Sequence, residues 1–162
     1  MILNIFFTLV LIYFFVTIFL YFYQDKLLYH PNVNARSSYE LDHKVDEILI
    51  PSDNDLIAWH YKNKENFKTL VFFHGNAGDL TNRVHKLNEL YKLDVNILII
   101  SWRGFSGNPG KPTEENLYND ARKSVEWLNN TGIENKNIIL YGESLGTGVA
   151  TELAQSNAFA GI

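Results

Sequence analysis

The sequence predicts an α/β fold: a β-hairpin followed by a mostly parallel sheet with helices on both faces, preceded by one transmembrane helix. Three observations lead to this prediction. Residues 2–23 form a long apolar segment, short β-type runs then alternate with segments of helical periodicity, and three of those runs are largely apolar throughout. Strands that are buried on both faces have this composition.

The composition allows one domain and excludes several kinds of site. At 162 residues, 46% of them hydrophobic, the chain can bury one core but is too short for two full domains. Its 14 basic and 18 acidic side chains give a net charge of −4, which does not suggest a nucleic-acid partner. The absence of cysteine excludes disulfides, thiolate metal ligands and a cysteine nucleophile.

Residues 2–23 have the length and composition of a membrane-spanning helix. A helix of that length measures about 33 Å, against roughly 30 Å for the hydrocarbon core of a bilayer. No side chain in it is charged, and Tyr21 and Tyr23 stand where an interfacial aromatic belt would fall. A cleaved signal peptide would instead have a basic start, a shorter apolar run and small residues at the cleavage site. We therefore predict a transmembrane anchor over residues 1–24.

The remainder of the chain divides into a connector and a globular part. Residues 25–38 contain Pro31 and several polar side chains, as connectors do, and residues 39–162 carry the α/β pattern. Lys26 and Arg36 follow the anchor, while only the α-amino group precedes it. The positive-inside rule thus favours a single-pass membrane protein whose globular part is cytoplasmic.

The first half of the globular part predicts a hairpin, a buried strand and a helix. Residues 45–50 and 56–61 are β-rich runs on either side of a turn-forming cluster. Residues 69–73 form a continuous apolar run, typical of a strand buried on both faces. Leucine and valine recur at helical spacing over residues 79–93, with Asp79 as the expected N-cap.

The second half repeats this alternation twice. Residues 95–101 and 137–141 are further strands of the buried type. Between them, Thr113 is the expected N-cap of a helix whose first turn carries two glutamates, which suit the helix dipole. A last helix opens near residue 145, and residues 159–162 have the character of the start of another strand.

The most informative motif is G-x-S-x-G, formed by Gly142, Ser144 and Gly146. It follows a predicted strand and opens a predicted helix, which is the context of a nucleophile elbow. On such a turn the serine takes a strained backbone conformation, and the glycines remove Cβ atoms that would clash with the neighbouring strand and helix. The alternative is a simple tight turn in which Ser144 caps the helix.

A second motif can supply donors for an oxyanion. Acyl transfer needs two backbone N–H groups: one from the residue after the nucleophile, Leu145, and one from the loop after the preceding central strand. That loop begins with His74 and Gly75, and its expected donor is Asn76, with Ala77 as the alternative. We expect His74 to order the loop, because enzymes built on such an elbow place the catalytic histidine after the serine. The other interpretation of the segment is an ordinary Gly-rich turn.

Five segments occur in an order that carries a family resemblance. They are FYQDKLLYHP (residues 22–31), HGNAGD (74–79), SWRGFSG (101–107), KPTEENLYNDA (111–121) and GESLG (142–146). In this combination the chain resembles the membrane-anchored branch of the α/β-hydrolase superfamily over nearly its whole length. That branch includes eukaryotic hydrolase-domain proteins, some of them depalmitoylating thioesterases, and many bacterial homologues.

The resemblance implies a reaction and a set of site residues. It implies a Ser–Asp–His triad, with no metal or organic cofactor. By position, it assigns the nucleophile to Ser144 and the oxyanion donors to Asn76 and Leu145. The substrate would be a small molecule, a lipid or an acylated protein, whose ester or thioester bond is cleaved at the membrane.

The sequence departs from the family after the nucleophile. Only eighteen residues follow Ser144, and none of them is Asp or His, whereas full domains of this kind have roughly 200–250 residues. All five histidines precede the serine. We therefore interpret the chain as truncated after the elbow and expect it to be inactive as written, because losing the base costs orders of magnitude in rate. The alternative is a non-catalytic, membrane-tethered binding module of hydrolase-like fold.

Overall fold

The computed structural model describes residues 1–32, 45–53, 55–63 and 68–162, which form two compact units, Met1–His30 and Pro31–Ile162. The strands are β1 (His30–Pro31), β2 (Asp46–Ile50), β3 (Leu56–Tyr61), β4 (Thr69–Phe73), β5 (Ala77–Gly78), β6 (Asn96–Ile100) and β7 (Ile138–Gly142). The α-helices are α1 (Ile2–Leu28), α2 (Val84–Leu90), α3 (Glu114–Asn130) and α4 (Leu145–Ser156). Two 3-10 helices span Leu80–Arg83 and Asn135–Asn137.

The first unit consists mainly of the helix α1. Its 27 residues correspond to about 40 Å, and none of them is buried, so the helix is long and apolar enough to cross a bilayer. A signal sequence meets the same criteria. The helix continues to Leu28, four residues into the predicted connector. Residues 33–38 of that connector and residues 39–44 of the predicted domain lie outside the described part of the chain.

The second unit is built on a five-stranded sheet of order β2–β3–β6–β4–β7. Strand β3 is antiparallel to both neighbours, whereas β6, β4 and β7 are parallel, so four of these five strands run in the same direction. A further strand begins beside β7, where the Ala160 N–H donates to the Ile138 carbonyl at 2.7 Å and the Leu140 N–H donates to the Gly161 carbonyl at 3.0 Å. The predicted hairpin, the mostly parallel sheet and the strand start after residue 158 are confirmed.

Helices cover both faces of the sheet. Successive side chains of a strand point to opposite faces, so each buried strand contributes apolar groups to both layers. In β4, Leu70 and Phe72 join the apolar cluster that includes Leu87 of α2. Val71 and Phe73 point to the opposite face, where they are fully buried and α4 packs on the strand. Every residue of β4 and of β6 is buried, which explains why neither strand shows a polar alternation.

The helix predicted over residues 79–93 is divided in the structure. Asp79 is an N-cap, as predicted, but it caps the 3-10 helix Leu80–Arg83. Its Oδ1 accepts the Asn82 N–H at 3.1 Å, and the Asn82 side chain accepts the Asp79 N–H at 2.9 Å. This reciprocal capping holds the first turn tight, so α2 begins only after it and ends at Leu90.

The loop between β6 and α3 is tied to the rest of the unit by buried polar groups. Asn108 Oδ1 accepts the Ile57 N–H at 2.9 Å, and its Nδ2 donates to the Ser101 carbonyl at 2.7 Å. Arg103 reaches α3, where its Nε and Nη2 donate to Asp120 Oδ1 at 2.9 and 2.6 Å. Burial raises the pKa of the Asp120 carboxyl, and the hydrogen bonds from Arg103 oppose that rise. These contacts fix the loop against the sheet.

Candidate active site

Ser144 connects β7 to α4 in a backbone conformation that is rare for a residue with a side chain. Its φ is 51° and its ψ is −115°, and the residue is exposed. The strand ends at Gly142 and the helix begins at Leu145, so the chain turns within two residues. A positive φ outside glycine costs of order 1–3 kcal/mol and persists where surrounding contacts enforce it. This is the sharp strand-to-helix turn that the G-x-S-x-G motif predicts.

Gly142 and Gly146 have no room for a side chain. A Cβ atom at Gly142 would lie 2.5 Å from the carbonyl oxygen of Gly146 and 2.6 Å from the nitrogen of Thr147. A Cβ atom at Gly146 would overlap the carbonyl oxygen of Phe73, the last residue of β4. Glycine at these positions therefore lets α4 start directly against the ends of two parallel strands.

The loop after β4 lies beside the serine. A Cβ atom at Gly75 would be 3.4 Å from the Cβ of Ser144, which is ordinary van der Waals contact. The Glu143 N–H donates to the Phe73 carbonyl at 3.0 Å, so the elbow is hydrogen-bonded to the strand that leads into the loop. The two motifs found in the sequence, 70 residues apart, thus meet at one end of the sheet.

The two candidate oxyanion donors lie next to this contact. Asn76 is the residue after Gly75 and is partly exposed. Leu145 is the first residue of α4, where a backbone N–H has no partner within the helix. The positive end of the helix dipole favours a developing negative charge at the same place. The arrangement can therefore present oriented donors close to the Ser144 hydroxyl.

His74 is a buried, neutral histidine at the start of this loop. Its Nδ1 donates to the Gly75 carbonyl at 2.7 Å, since a carbonyl can only accept, and its ring contacts those of Trp102 and Phe105. The Trp102 Nε1–H donates to the His74 carbonyl at 3.0 Å. Burial, reinforced by the charge of Arg83, lowers the pKa of His74 to about 3. This environment suits an ordering role and leaves the ring a very weak base.

The far end of the loop is held by two segments, one containing Asn32 and the other containing Ser106. Asn32 donates from its backbone to the Gly78 carbonyl at 2.9 Å and from its side chain to Asp79 Oδ2 at 2.7 Å. Ser106 donates its backbone N–H to the Asn32 carbonyl at 3.1 Å, and its Oγ accepts the Leu80 N–H at 3.1 Å. The loop is therefore clamped on both sides of Asn76.

The structure contains an ion pair beside the elbow that the sequence did not predict. Arg83 Nη1 lies 3.4 Å from Glu143 Oε1, and Arg83 Nη2 donates to the Ala77 carbonyl at 2.6 Å. The Arg83 side chain is 15% exposed and that of Glu143 is 32% exposed. The available signal was the opposite charge of an arginine after the Gly-rich loop and a glutamate inside G-x-S-x-G. Sixty residues separate the two, so the pairing could not be read from local pattern.

Among the described residues, the remaining histidines and acids do not form a second candidate site. Within those residues, no group of three or more His, Asp or Glu side chains could hold a metal ion. His60 packs against Trp127 of α3, with 5.3 Å between ring centroids, and its pKa is lowered chiefly by burial. His85 is exposed on α2, and His43 lies outside the described residues.

Comparison with known proteins agrees with this geometry. The family described as the alpha/beta hydrolase fold matches residues 68–158, a span that includes β4, β6, β7 and the elbow. The chain belongs to this family. The alpha/beta hydrolase domain-containing protein WAV2 of Arabidopsis thaliana is 30% identical over 146 residues, which cover 83% of this chain and 47% of WAV2. The resemblance of the five sequence segments to the α/β-hydrolase superfamily is confirmed.

Two further comparisons show proteins to which this chain is similar. A Mycobacterium tuberculosis protein is 32% identical over 137 residues, covering 81% of this chain and 49% of the relative. The Pyrococcus furiosus esterase Pf2001 superposes with a TM-score of 0.64 at 22% identity, covering 77% of this chain and 50% of the esterase. At that identity the likeness shows the fold. The chain spans about half the length of these relatives.

Gly146→Ala is expected to destabilise the alpha/beta hydrolase by about 3 kcal/mol, because the added Cβ meets the backbone of a buried central strand. The matched control is Gly148→Ala in the same helix, where a Cβ has open space and alanine should stabilise by about 0.5–1 kcal/mol. Urea unfolding in detergent micelles, followed by circular dichroism, measures both. Equal stabilities would show that the elbow does not depend on this close approach.

Stability is expected to fall as the pH drops from 6.5 towards 3. In this range the unfolded chain can protonate His74, whereas the buried ring of the folded chain stays neutral. Its folded pKa of about 3 lies below the ordinary value of 6.5, so the unfolded chain binds the proton first. The stabilisation is complete above pH 6.5, and His74 contributes a slope of up to about 1.4 kcal/mol per pH unit below it. His74→Gln should flatten urea-unfolding free energies measured from pH 7.5 to 5. Exposed His85→Gln is the control, and an equal slope in His74→Gln and the unmodified protein would contradict this assignment.

Proposed function

We propose that the protein is a membrane-anchored serine hydrolase that cleaves ester or thioester bonds through Ser144. The observation that supports this best is the strained turn at Ser144, with φ 51°, in van der Waals contact with the position of Gly75. A fold without catalytic use has no physical need for a strained serine at the end of a buried strand. Membership of the alpha/beta hydrolase fold family adds to the case.

In the proposed reaction, Ser144 Oγ forms a bond to the carbonyl carbon of the substrate and gives its proton to a histidine base. The N–H groups of Leu145 and Asn76 hold the oxyanion, with the α4 dipole favouring its charge. The C–O or C–S bond then breaks, and the leaving alcohol or thiol takes the proton from the base. Water repeats the sequence on the acyl-enzyme and releases the acid.

The base in this proposal is not one of the buried histidines near the sheet. The pKa of His74 is about 3 and its Nδ1 is occupied by the Gly75 carbonyl, while His60 packs on the ring of Trp127. Because the chain spans about half the length of its relatives, the proposal assigns the triad His and Asp to the remaining length. The 162 residues alone are then expected to be inactive.

The substrate proposal follows from the helix α1. Its length and apolar surface fit a bilayer, so the hydrolase unit would meet lipids or acylated proteins at a higher local concentration than dissolved esters. Lys26, in the last turn of the helix, and Arg36, further along the sequence, favour a cytoplasmic position for that unit. No cofactor is part of the proposed reaction.

Fluorophosphonate labelling of the complete gene product tests the nucleophile. We expect a covalent adduct at Ser144, identified by peptide mass spectrometry, and no adduct in Ser144→Ala. The matched control is Ser156→Ala, an exposed serine at the end of α4, which should label as the unmodified protein does. A complete, folded protein that does not label would instead favour the non-catalytic binding module.

Alkaline carbonate extraction tests the anchor. The protein should stay in the membrane pellet and keep an N-terminal tag. Replacing Phe14 and Phe15 with arginine should release it, because each buried charge costs about 2.5–3.5 kcal/mol at the centre of a membrane helix. The control pair is Tyr23→Arg with Gln24→Arg, near the expected interface, which should remain in the pellet. Loss of the tag during maturation would show that α1 is a signal sequence.

A further inference from the structure

Arg83 connects the loop after β4 (residues 74–79, here called the donor loop) to the nucleophile elbow. It ends the 3-10 helix Leu80–Arg83, and its side chain is only 15% exposed. Its guanidinium contacts both segments, donating from Nη2 to the Ala77 carbonyl at 2.6 Å and lying 3.4 Å from Glu143 Oε1 through Nη1. A guanidinium keeps its charge at every working pH and offers donors in two directions, so it can serve both contacts at once.

Glu143 places a carboxylate beside the serine, where a negative charge would disfavour a developing oxyanion. It directly precedes Ser144, and its Oε1 would be 3.8 Å from a Cβ built at Gly75, a position that would also be 3.4 Å from the Cβ of Ser144. The Glu143 carboxylate and the Ser144 side chain thus lie near the same point of the loop after β4, so a developing oxyanion would form in the neighbourhood of a negative charge. Repulsion between these like charges, in a partly buried setting, is strong enough to slow acyl transfer.

We propose that Arg83 is a positioning residue for catalysis: it neutralises Glu143 beside the nucleophile, and its contact with the Ala77 carbonyl holds the guanidinium in place. The inference rests on the proposed serine-hydrolase function. Arg83 itself touches neither substrate nor the reacting atoms.

A purely structural role for Arg83 predicts a different pattern of mutational effects. If the arginine only braces the loop through Ala77, its loss is harmful whatever stands at position 143. If it compensates a charge, removing the carboxylate should relieve the loss. A double-mutant cycle that combines substitutions at Arg83 and Glu143 therefore separates the two roles.

The experiment measures second-order rates of fluorophosphonate labelling at Ser144 in the complete gene product in detergent. Arg83→Gln should label about tenfold more slowly than the unmodified protein. Adding Glu143→Gln should bring the rate back by at least fivefold. Arg83→Lys, which keeps the charge and loses the planar fork, should stay within about threefold of the unmodified protein. Arg122→Gln is the matched control, because Arg122 of α3 forms an exposed ion pair with Glu152 of α4 at 3.9 Å and contacts neither Glu143 nor Ala77 in that pair.

Thermal unfolding of each variant separates slow labelling from poor folding. Should Arg83→Gln alone fail to fold, the double variant, which leaves no unpaired carboxylate, is compared directly with the unmodified protein, and a rate within about threefold supports the proposal. Three outcomes overturn the proposal and leave the nucleophile assignment intact. They are a folded double variant as slow as Arg83→Gln, an Arg83→Lys variant equally slow, and a normal labelling rate in Arg83→Gln. An unmodified protein that does not label overturns the proposed function and this inference together.

Discussion

The close approach of Gly146 to the Phe73 carbonyl is the contact on which the site depends. A Cβ at position 146 would overlap that oxygen, so the start of α4 can reach the end of β4 only as glycine. The same carbonyl accepts the Glu143 N–H, which joins the neighbouring parallel strands β4 and β7 just where both end. Only Ser144 stands between Glu143, which is hydrogen-bonded to the end of β4, and Leu145, the first residue of α4. The backbone of Ser144 therefore takes a positive φ.

Buried polar groups extend this constraint to the neighbouring loops. The His74 carbonyl receives the Trp102 indole N–H, which ties the loop after β4 to the loop after β6. That second loop is held in turn by the Arg103–Asp120 pair and by Asn108. Removing one partner of such a network leaves an unpaired buried group, which costs more than the net value of the bond. The network therefore specifies one conformation for the donor loop.

The electrostatics of the elbow combine favourable and unfavourable elements. The N-terminus of α4 favours negative charge at the serine, whereas Glu143 opposes it. Arg83 lies where it can offset the carboxylate without reaching the reacting atoms. Its charge also helps to keep His74 neutral, so the donor loop rests on an uncharged ring. One arginine thus affects both sides of the candidate oxyanion site.

Local sequence patterns determined much of this protein. The apolar run at 69–73 matches β4 residue for residue, and Asp79 and Thr113 cap the turns that follow them. G-x-S-x-G between a strand and a helix indicated the turn at Ser144. Each of these signals arises among residues within a few positions of one another, where backbone geometry and side-chain periodicity act directly.

Only the tertiary structure decided what surrounds the serine. The register of β4 against β7 brings Gly75 to Ser144, and the tight turn after Asp79 aims Arg83 at Glu143. Neither result follows from periodicity, because the paired residues are 60 to 70 positions apart and meet through the packing of a whole sheet. The low pKa of His74 likewise comes from burial under aromatic rings contributed by another loop. Sequence determined the parts of the site, and long-range packing determined their charges and contacts.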